Sequence, residues 1–393
     1  MTVKRIRRVL IAWEFGGGMG HATRLLKVAL ALRLAGFIPI VAAANPQTLK
    51  ERYQQHKITL IKAPEAKTNW NNQQAFKATS YSDILGIGGF ADKTTLKNRI
   101  EQWIDILKKY QPDLIIADYA PILTLACYDR LPVICFGDGF VVPHAQKGSF
   151  PRLRKDYPRV WSEEFLLENA ISAMEPYTKT LPECLPDIIK GQSQVLSIIK
   201  ELDIYGDSRD LAIGPLEKDV FPIPAAKKSH LCVYLSANHP STSHILNIIA
   251  KHKLSADCLI NGINVTAYKH WSSLGLNILL KPPSIKEILS NATACIHHGG
   301  INLSEESILA GRFQFILPKH FEQRLNANRM LSQINSCIVA SRKDLDSAII
   351  EDVLLSELSH PHNWSKPLEK AEQVSKRPSS MINLVTQVER LLY

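Results

Sequence analysis

Ala294-Cys295-Ile296-His297-His298-Gly299-Gly300-Ile301-Asn302-Leu303-Ser304-Glu305-Glu306-Ser307-Ile308-Leu309-Ala310-Gly311 is the stretch whose reading decides the fold of this chain. A short apolar run, Ala294 to Ile296, reads as a buried strand, and Ile308, Leu309 and Ala310 mark an apolar helix. Between them a glycine pair makes a tight turn that lets the backbone approach a ligand closely. The helix start presents unpaired N–H groups and the positive end of its dipole, an arrangement suited to an anion. A histidine on the same edge can add a donor to a phosphate oxygen. Glycine turns of this kind also occur for purely steric reasons, so the turn alone does not identify a ligand.

The same strand–turn–helix unit recurs on both sides of this stretch. Leu231 to Leu235, Ile278 to Leu280 and Phe313 to Leu317 read as further strands of the second half. In the first half, Val9 to Trp13 precedes the glycine loop Gly16-Gly17-Gly18-Met19-Gly20. Leu25, Val28, Ala29, Leu32 and Ala35 then recur at helical spacing, with Gly36 where a C-cap glycine belongs. Ile38 to Ala43 resumes as a strand. Leu96, Ile100, Trp103, Ile104 and Leu107 give a second helix that Pro112 ends. Leu114 to Ala117 and Val133 to Phe136 are two more buried strands. Residues 140–186, rich in proline and charge, read as helical excursions over the first half.

This alternation predicts an α/β fold of two Rossmann-like domains, with parallel sheets covered on both faces. The expected division is 1–218, a proline-bearing linker at 219–228, and 229–393, with the last helix a candidate to return to the first domain. Ligands of such sheets sit outside the carboxyl ends of the strands, in the expected cleft between the two halves.

The totals agree with two domains. The chain has 393 residues, 45% hydrophobic and 21% charged, enough for two cores. Its net charge of +10 suits a phosphorylated ligand, an anionic membrane or nucleic acid. The basic residues are dispersed and no aromatic-rich basic motif accompanies them, so no nucleic-acid partner is expected. Lys4, Arg5, Arg7 and Arg8 are the one cluster that favours peripheral contact with an anionic lipid surface. Seven scattered cysteines with no Cys-x-x-Cys pair predict a reduced compartment and no zinc site. The apolar run after the basic N-terminus is too short for a signal peptide, and Leu25 to Ala44 is too interrupted to span a membrane. The cytoplasm, with the inner membrane face as a peripheral position, is the expected location.

Residues 298–327 resemble the C-terminal signature of the UDP-glycosyltransferase superfamily. Its plant form reads His-Cys-Gly-Trp-Asn-Ser-Thr-x-Glu-Ser, matched by His298, Gly300, Asn302, Ser304, Glu306 and Ser307; bacterial forms supply Gly299. Pro318, Glu322-Gln323 and Asn326-Ala327 match the family's closing Pro…Glu/Asp-Gln-x-x-Asn-Ala. The resemblance implies the GT-B fold, with acceptor bound by the N-terminal domain and nucleotide sugar by the C-terminal one. It assigns His298, Gly299, Gly300, Asn302, Leu303 and Ser304 to the donor phosphates, Glu306 to the ribose, and Glu322 and Gln323 to the transferred sugar. The chain departs from the family at Leu303, where Ser or Thr is usual, and at Arg312-Phe313, which replaces Val-Pro.

The loop Gly16 to Arg24 lacks the Gly-Lys-Ser/Thr of a P-loop. It also lacks the acid after the second strand that a dinucleotide site needs. It is similar to the Gly-His turn that opens the acceptor domain of GT-B enzymes, including the bacterial cell-wall N-acetylglucosaminyl transferase. That similarity makes His21 the general base and Asp118, after a later strand, its orienting partner, with Gly18, Gly20 and Arg24 shaping the loop. Imidazole titrates near neutrality, as a base for a hydroxyl requires. Asp344-Leu345-Asp346 has the form of a metal motif but reads as a helix start, so no metal and no cofactor are expected. The implied reaction is inverting transfer of a hexose from a nucleotide-diphosphate sugar, a UDP-sugar first, to a hydroxyl of a small-molecule or lipid-linked acceptor. Gly20-His21-x-x-Arg24 also resembles sugar-nucleotide hydrolases, so hydrolysis or epimerisation stays open, as does a non-catalytic nucleotide-sugar-binding partner protein.

Overall fold

A computed structural model describes residues 5–16, 19–65, 77–178, 180–209, 213–217, 229–281, 283–334, 337–339, 348–359 and 365–393. Gly18, the expected linker 219–228 and Asp344-Leu345-Asp346 lie outside the described residues. The chain forms two compact units: Met1–Ser197 with Asp207–Leu216 and Ser379–Tyr393, and Ile198–Gly206 with Glu217–Pro378.

The first unit is a seven-stranded parallel sheet. Its strands are β1 (Arg8–Trp13), β2 (Ile38–Ala43), β3 (Thr59–Lys62), β4 (Leu114–Ala117), β5 (Val133–Gly137), β6 (Ser193–Ser197) and β7 (Ile213–Gly214), in the order β3-β2-β1-β4-β5-β6-β7. Every residue of β4 and β5 is buried, which is why these strands read as unbroken apolar runs rather than alternating ones. Helix Met19–Leu34 ends where foreseen: Gly36 has φ +89, and the Phe37 N–H donates to the Leu32 carbonyl at 3.0 Å. Helix Lys93–Tyr110 starts on Asp92, whose carboxylate accepts from the Thr95 N–H at 2.7 Å. It buries Leu96, Ile100, Trp103, Ile104 and Leu107, each contributing roughly 1.5–3 kcal/mol against exposure.

Residues 140–186 differ from the expectation. They hold one long helix, Glu163–Met174, in a largely irregular segment. Buried Asp83 anchors part of this segment by accepting from the N–H groups of Val160 and Trp161, at 2.8 and 3.3 Å. A side chain thus substitutes for the ladder partners that the segment lacks.

The second unit is a six-stranded parallel sheet with the order β10-β9-β8-β11-β12-β13. Its strands are β8 (Leu231–Ser236), β9 (Ala256–Asn261), β10 (Asn277–Ile278), β11 (Ala294–His297), β12 (Phe313–Ile316) and β13 (Cys337–Val339). The strand expected over Ile278 to Leu280 covers only Asn277–Ile278. Arg312, odd for its family position, is 1% exposed and donates through Nε to the Leu289 carbonyl at 2.8 Å. It thereby satisfies a carbonyl at the C-terminal end of helix Ile285–Asn291.

Two segments join the unit far from them in sequence. Helix Ser380–Leu392 buries Met381, Leu384 and Val388 in the core of the first unit. In the second, Glu201 is held by Arg377 through two 2.6 Å bonds and by Lys370 at 2.6 Å. Among the described residues no helix is long and apolar enough to cross a membrane.

Candidate active site

In the first sheet β1 lies between β2 and β4, so successive connections leave it in opposite directions. The crevice this opens at the carboxyl ends of β1 and β4 is where such folds bind ligands. Two ties hold the loops there. Phe15 donates its N–H to the Tyr119 carbonyl at 3.0 Å. Buried Glu14 accepts from Trp103 Nε1 and from the N–H groups of Ile122 and Leu123, the latter two at 2.9 and 2.7 Å. Burial pushes the Glu14 carboxyl up to about 7, against the pull of those donors and of Arg99.

His21 sits in the first turn and a half of helix Met19–Leu34, with Nδ1 3.0 Å from Asp118 Oδ1. The imidazole stacks on Trp13 with centroids 5.1 Å apart. Gly16 has φ +78, and a Cβ there would stand 3.4 Å from His21 Nε2 and 3.3 Å from the Tyr119 ring. That loop position therefore takes glycine, and Nε2 faces it.

Arg24, one helical turn beyond His21, is 5% exposed and grips Asp118 with two bonds, Nε to Oδ2 at 2.9 Å and Nη2 to Oδ1 at 2.7 Å. Its Nη1 reaches Asp138 Oδ2 at 3.4 Å. Burial opposes the Asp118 charge, but Arg24 and then His21 outweigh it and hold the carboxyl below its usual range. Arg24 is held above its ordinary value by the two aspartates, against burial. The sequence reading placed Arg24 in the loop and missed Asp138 altogether. The signal was available: Asp138 follows a buried strand, as Asp118 does. Gly20 lies inside the helix, beside His21.

Beside this group is a cavity of about 480 Å³ whose lining includes Phe15, Gly16, Ile84, Ile87 and Tyr119, with Glu14, Asn45 and Glu65 as its polar members. No lysine or arginine lines it among the described residues.

The second sheet has the same reversal of order between β8 and β11. Gly299, after β11, has φ +82, and a Cβ there would meet Ile316 Cγ2 at 2.9 Å and the Gln323 carbonyl oxygen at 3.2 Å. Gly299→Ala is therefore expected to cost at least about 1 kcal/mol of stability, read as a lower urea midpoint at unchanged slope. A Cβ on Gly300 would meet nothing within 4 Å, so the start of helix Ile301–Leu309 opens onto space. Its first N–H groups, with the exposed side chain of Asn302, are what an anion would meet.

His298 differs from the expectation. Its Nδ1 lies 2.8 Å from the Leu317 carbonyl and its Nε2 accepts from the Ser236 N–H at 3.0 Å. Burial pulls its pKa down to about 4, so the ring is neutral and its one N–H is spent on Leu317. In this conformation it braces the turn and has no donor left for a phosphate. His297, fully buried, does likewise: it accepts from the Gly299 N–H at 3.0 Å and pairs with Gln314 at 2.9 Å. Leu303 packs against the cluster of Cys232, Leu259, Ile288 and Leu289, which explains an apolar residue where the family has a hydroxyl. Ser304 is fully buried. Glu306 and Glu322 are half-buried. Gln323 Oε1 accepts from the Lys319 N–H at 2.9 Å. Lys319 Nζ reaches Ser236 Oγ at 3.2 Å and Asn238 Oδ1 at 3.0 Å, bringing a cation to this edge that the sequence reading did not single out. Among the described residues no group of three or more His, Cys, Asp or Glu could hold a metal.

Neither a family model nor a curated protein sequence matches the chain. Solved structures do. The glycosyltransferase VinC, in complex with dTDP, is 14% identical with a TM-score of 0.68, over 98% of this chain and 99% of that one. The calicheamicin glycosyltransferase CalG4 is 14% identical with a TM-score of 0.69, over 99% of each. The spinosyn rhamnosyltransferase SpnG, complexed with thymidine diphosphate, is 13% identical with a TM-score of 0.65, over 98% and 100%. At such identities these are likenesses of fold.

Proposed function

We propose that this chain, which has the GT-B fold, is an inverting glycosyltransferase that moves a sugar from a nucleoside diphosphate to a hydroxyl of a small, neutral, largely apolar acceptor. The observation that carries the reading is the His21–Asp118 contact at 3.0 Å, at the edge where the first sheet reverses its strand order. Nδ1 lies 3.0 Å from both Asp118 Oδ1 and Arg24 Nη2; in the tautomer this reading requires, Nδ1–H donates to Asp118 Oδ1 and the Nε2 lone pair is left for the acceptor. As the acceptor oxygen bonds the anomeric carbon, its proton passes to Nε2. The bond from that carbon to the diphosphate breaks, and the diphosphate leaves with the electron pair. The N–H groups opening helix Ile301–Leu309 favour the charge developing on it. No metal or cofactor is part of the proposal.

Thymidine diphosphate occupies VinC and SpnG, so a dTDP-sugar stands beside the UDP-sugar suggested by the sequence, and a hexose is the transferred group proposed. For the acceptor, apolar walls with two carboxylates and no described cation disfavour a lipid diphosphate and suit a neutral aglycone. SpnG has been solved with its spinosyn aglycone. A hydrolase could use the same His21, with water in the acceptor's place; the apolar cavity beside Gly16 favours transfer.

The test begins with thermal shift in dTDP, UDP and GDP. One of the first two is expected to raise the midpoint, since a ligand at a hundred times its Kd adds about 2.7 kcal/mol. No shift from any of the three would remove the donor site. Sugar nucleotides with and without apolar alcohols then separate the reactions: nucleotide release that needs the alcohol is transfer, and release indifferent to it is hydrolysis.

A further inference from the structure

Asp118 is not a free partner for His21. Its Oδ1 meets both His21 Nδ1, at 3.0 Å, and Arg24 Nη2, at 2.7 Å, while Oδ2 takes Arg24 Nε at 2.9 Å, and Arg24 Nη2 also stands 3.0 Å from His21 Nδ1. A guanidinium held bidentate cancels most of the field that a carboxylate offers to an imidazole beside it. Paired with Arg24 alone, Asp118 would orient His21 but do little to stabilise the imidazolium that forms when the ring takes a proton.

Asp138 changes that balance. It is 6% exposed, its Oδ1 accepts from the N–H groups of Phe140 and Val141 at 2.9 and 3.0 Å, and its Oδ2 faces Arg24 Nη1 at 3.4 Å. Two backbone donors fix this carboxylate whether or not Arg24 is present. Gly137, φ +149, leaves the room: a Cβ there would stand 3.5 Å from Arg24 Nη2 and 2.8 Å from Val141 Cγ1. Asp118, Asp138 and Arg24 by themselves carry one net negative charge beside the His21 ring. Arg209, 8% exposed, donates to the Val142 and Gly139 carbonyls at 2.6 and 3.5 Å, on the loop that carries Asp138. Tyr119 stacks on His21 at 6.0 Å, and buried Tyr53 donates its hydroxyl to the Ala22 carbonyl at 3.0 Å. Arg52 is turned to the Thr23 hydroxyl at 3.3 Å, at the exposed side of the helix.

We propose that Arg24 and Asp138 are positioning residues for the His21 base: Arg24 locks the Asp118 carboxylate toward Nδ1, and Asp138 restores the negative charge that Arg24 cancels. The inference rests on reading His21 as the base, but it is tested without turnover.

The experiment is a ¹⁵N–¹H NMR titration of the imidazoles in the full chain, with His21 identified by its absence in His21→Gln. Asp138→Asn is expected to lower the His21 pKa, and Arg24→Met to raise it, each on the order of half a unit to one unit. Opposite signs follow from removing opposite charges; lost packing has no such signature. Arg24→Lys keeps the charge without the two-pronged grip. It is expected to leave the pKa near the wild-type value while shifting the neutral ring away from the Nδ1–H form. If Arg24→Met does not fold, Asp138→Asn and Arg24→Lys still decide. An unchanged His21 pKa in Asp138→Asn, or shifts of one sign in both charge-removing variants, would overturn the proposal. Should the predicted shifts appear in a protein that transfers no sugar, the coupling stands and the reading of His21 as a base falls.

Discussion

His21→Ala is expected to lower turnover with a nucleotide sugar and its acceptor by about a hundred- to ten-thousand-fold, the usual effect of losing a positioned base. Among the described residues at the carboxyl edge of β1, this imidazole has a carboxylate 3.0 Å behind it and its Nε2 turned toward Gly16 in front. Asp118→Asn should fall in the same range, because an amide can face Nδ1 with either its oxygen or its nitrogen and no longer dictates the tautomer. The double variant should be little worse than His21→Ala, since the aspartate then has nothing to orient. Nucleotide affinity, read by calorimetry, should stay within error in all three, because the donor is assigned to the second unit. Near-normal turnover in His21→Ala, or losses that simply multiply, would place the base elsewhere.

The largest effect on stability is expected from Arg24→Met, about 3–5 kcal/mol, the cost of leaving a buried charge without its partner. Asp118 is fully buried, and Asp138 is 6% exposed. Asp118 loses two short bonds at once and keeps only the imidazole. Urea unfolding at neutral pH measures the loss, and a change below about 1 kcal/mol would show that solvent or relaxation compensates. The wild type carries a related signature on the acid side. Asp118 has a folded pKa below its unfolded value. Its contribution is therefore present above the unfolded pKa and lost as pH falls through the folded one. In Arg24→Met that acid-side loss should shrink, because the charge favouring the ionised carboxylate is gone.

Much of the architecture was legible because it is local. Apolar runs, helical spacing, Gly36 and Pro112 located the central strands and the ends of the first two long helices, and the turn at Gly299-Gly300 stands where the sequence put it, but helix Met19–Leu34 starts inside the stretch read as the glycine loop. Strands β3, β6, β7, β9 and β13 escaped notice: β3, β6 and β9 mix polar residues with a short apolar core, which periodicity does not separate from loop, and β7 and β13 are only two and three residues long. Residues 140–186 misled for a related reason: part of their order comes from Asp83, a residue far outside the segment.

At the site the division is sharper. The sequence by itself determined the strand–turn–helix units and the residue types available at each strand end, including His21, Asp118 and His298. These are properties of a dozen neighbouring residues at most. Which of those side chains meet was decided by strand order. Placing β4 beside β1 and β5 beside β4 brings Asp118 and Asp138 to an arginine 94 and 114 residues earlier. Placing β12 beside β11 and β8 on its other side surrounds His298 with the Leu317 carbonyl and the Ser236 N–H, which take both ring nitrogens. Hydrogen-bonding capacity is finite, so a side chain's chemistry toward a ligand depends on what its neighbours have already claimed. Those neighbours come from distant strands, and no local pattern in the sequence records their arrival.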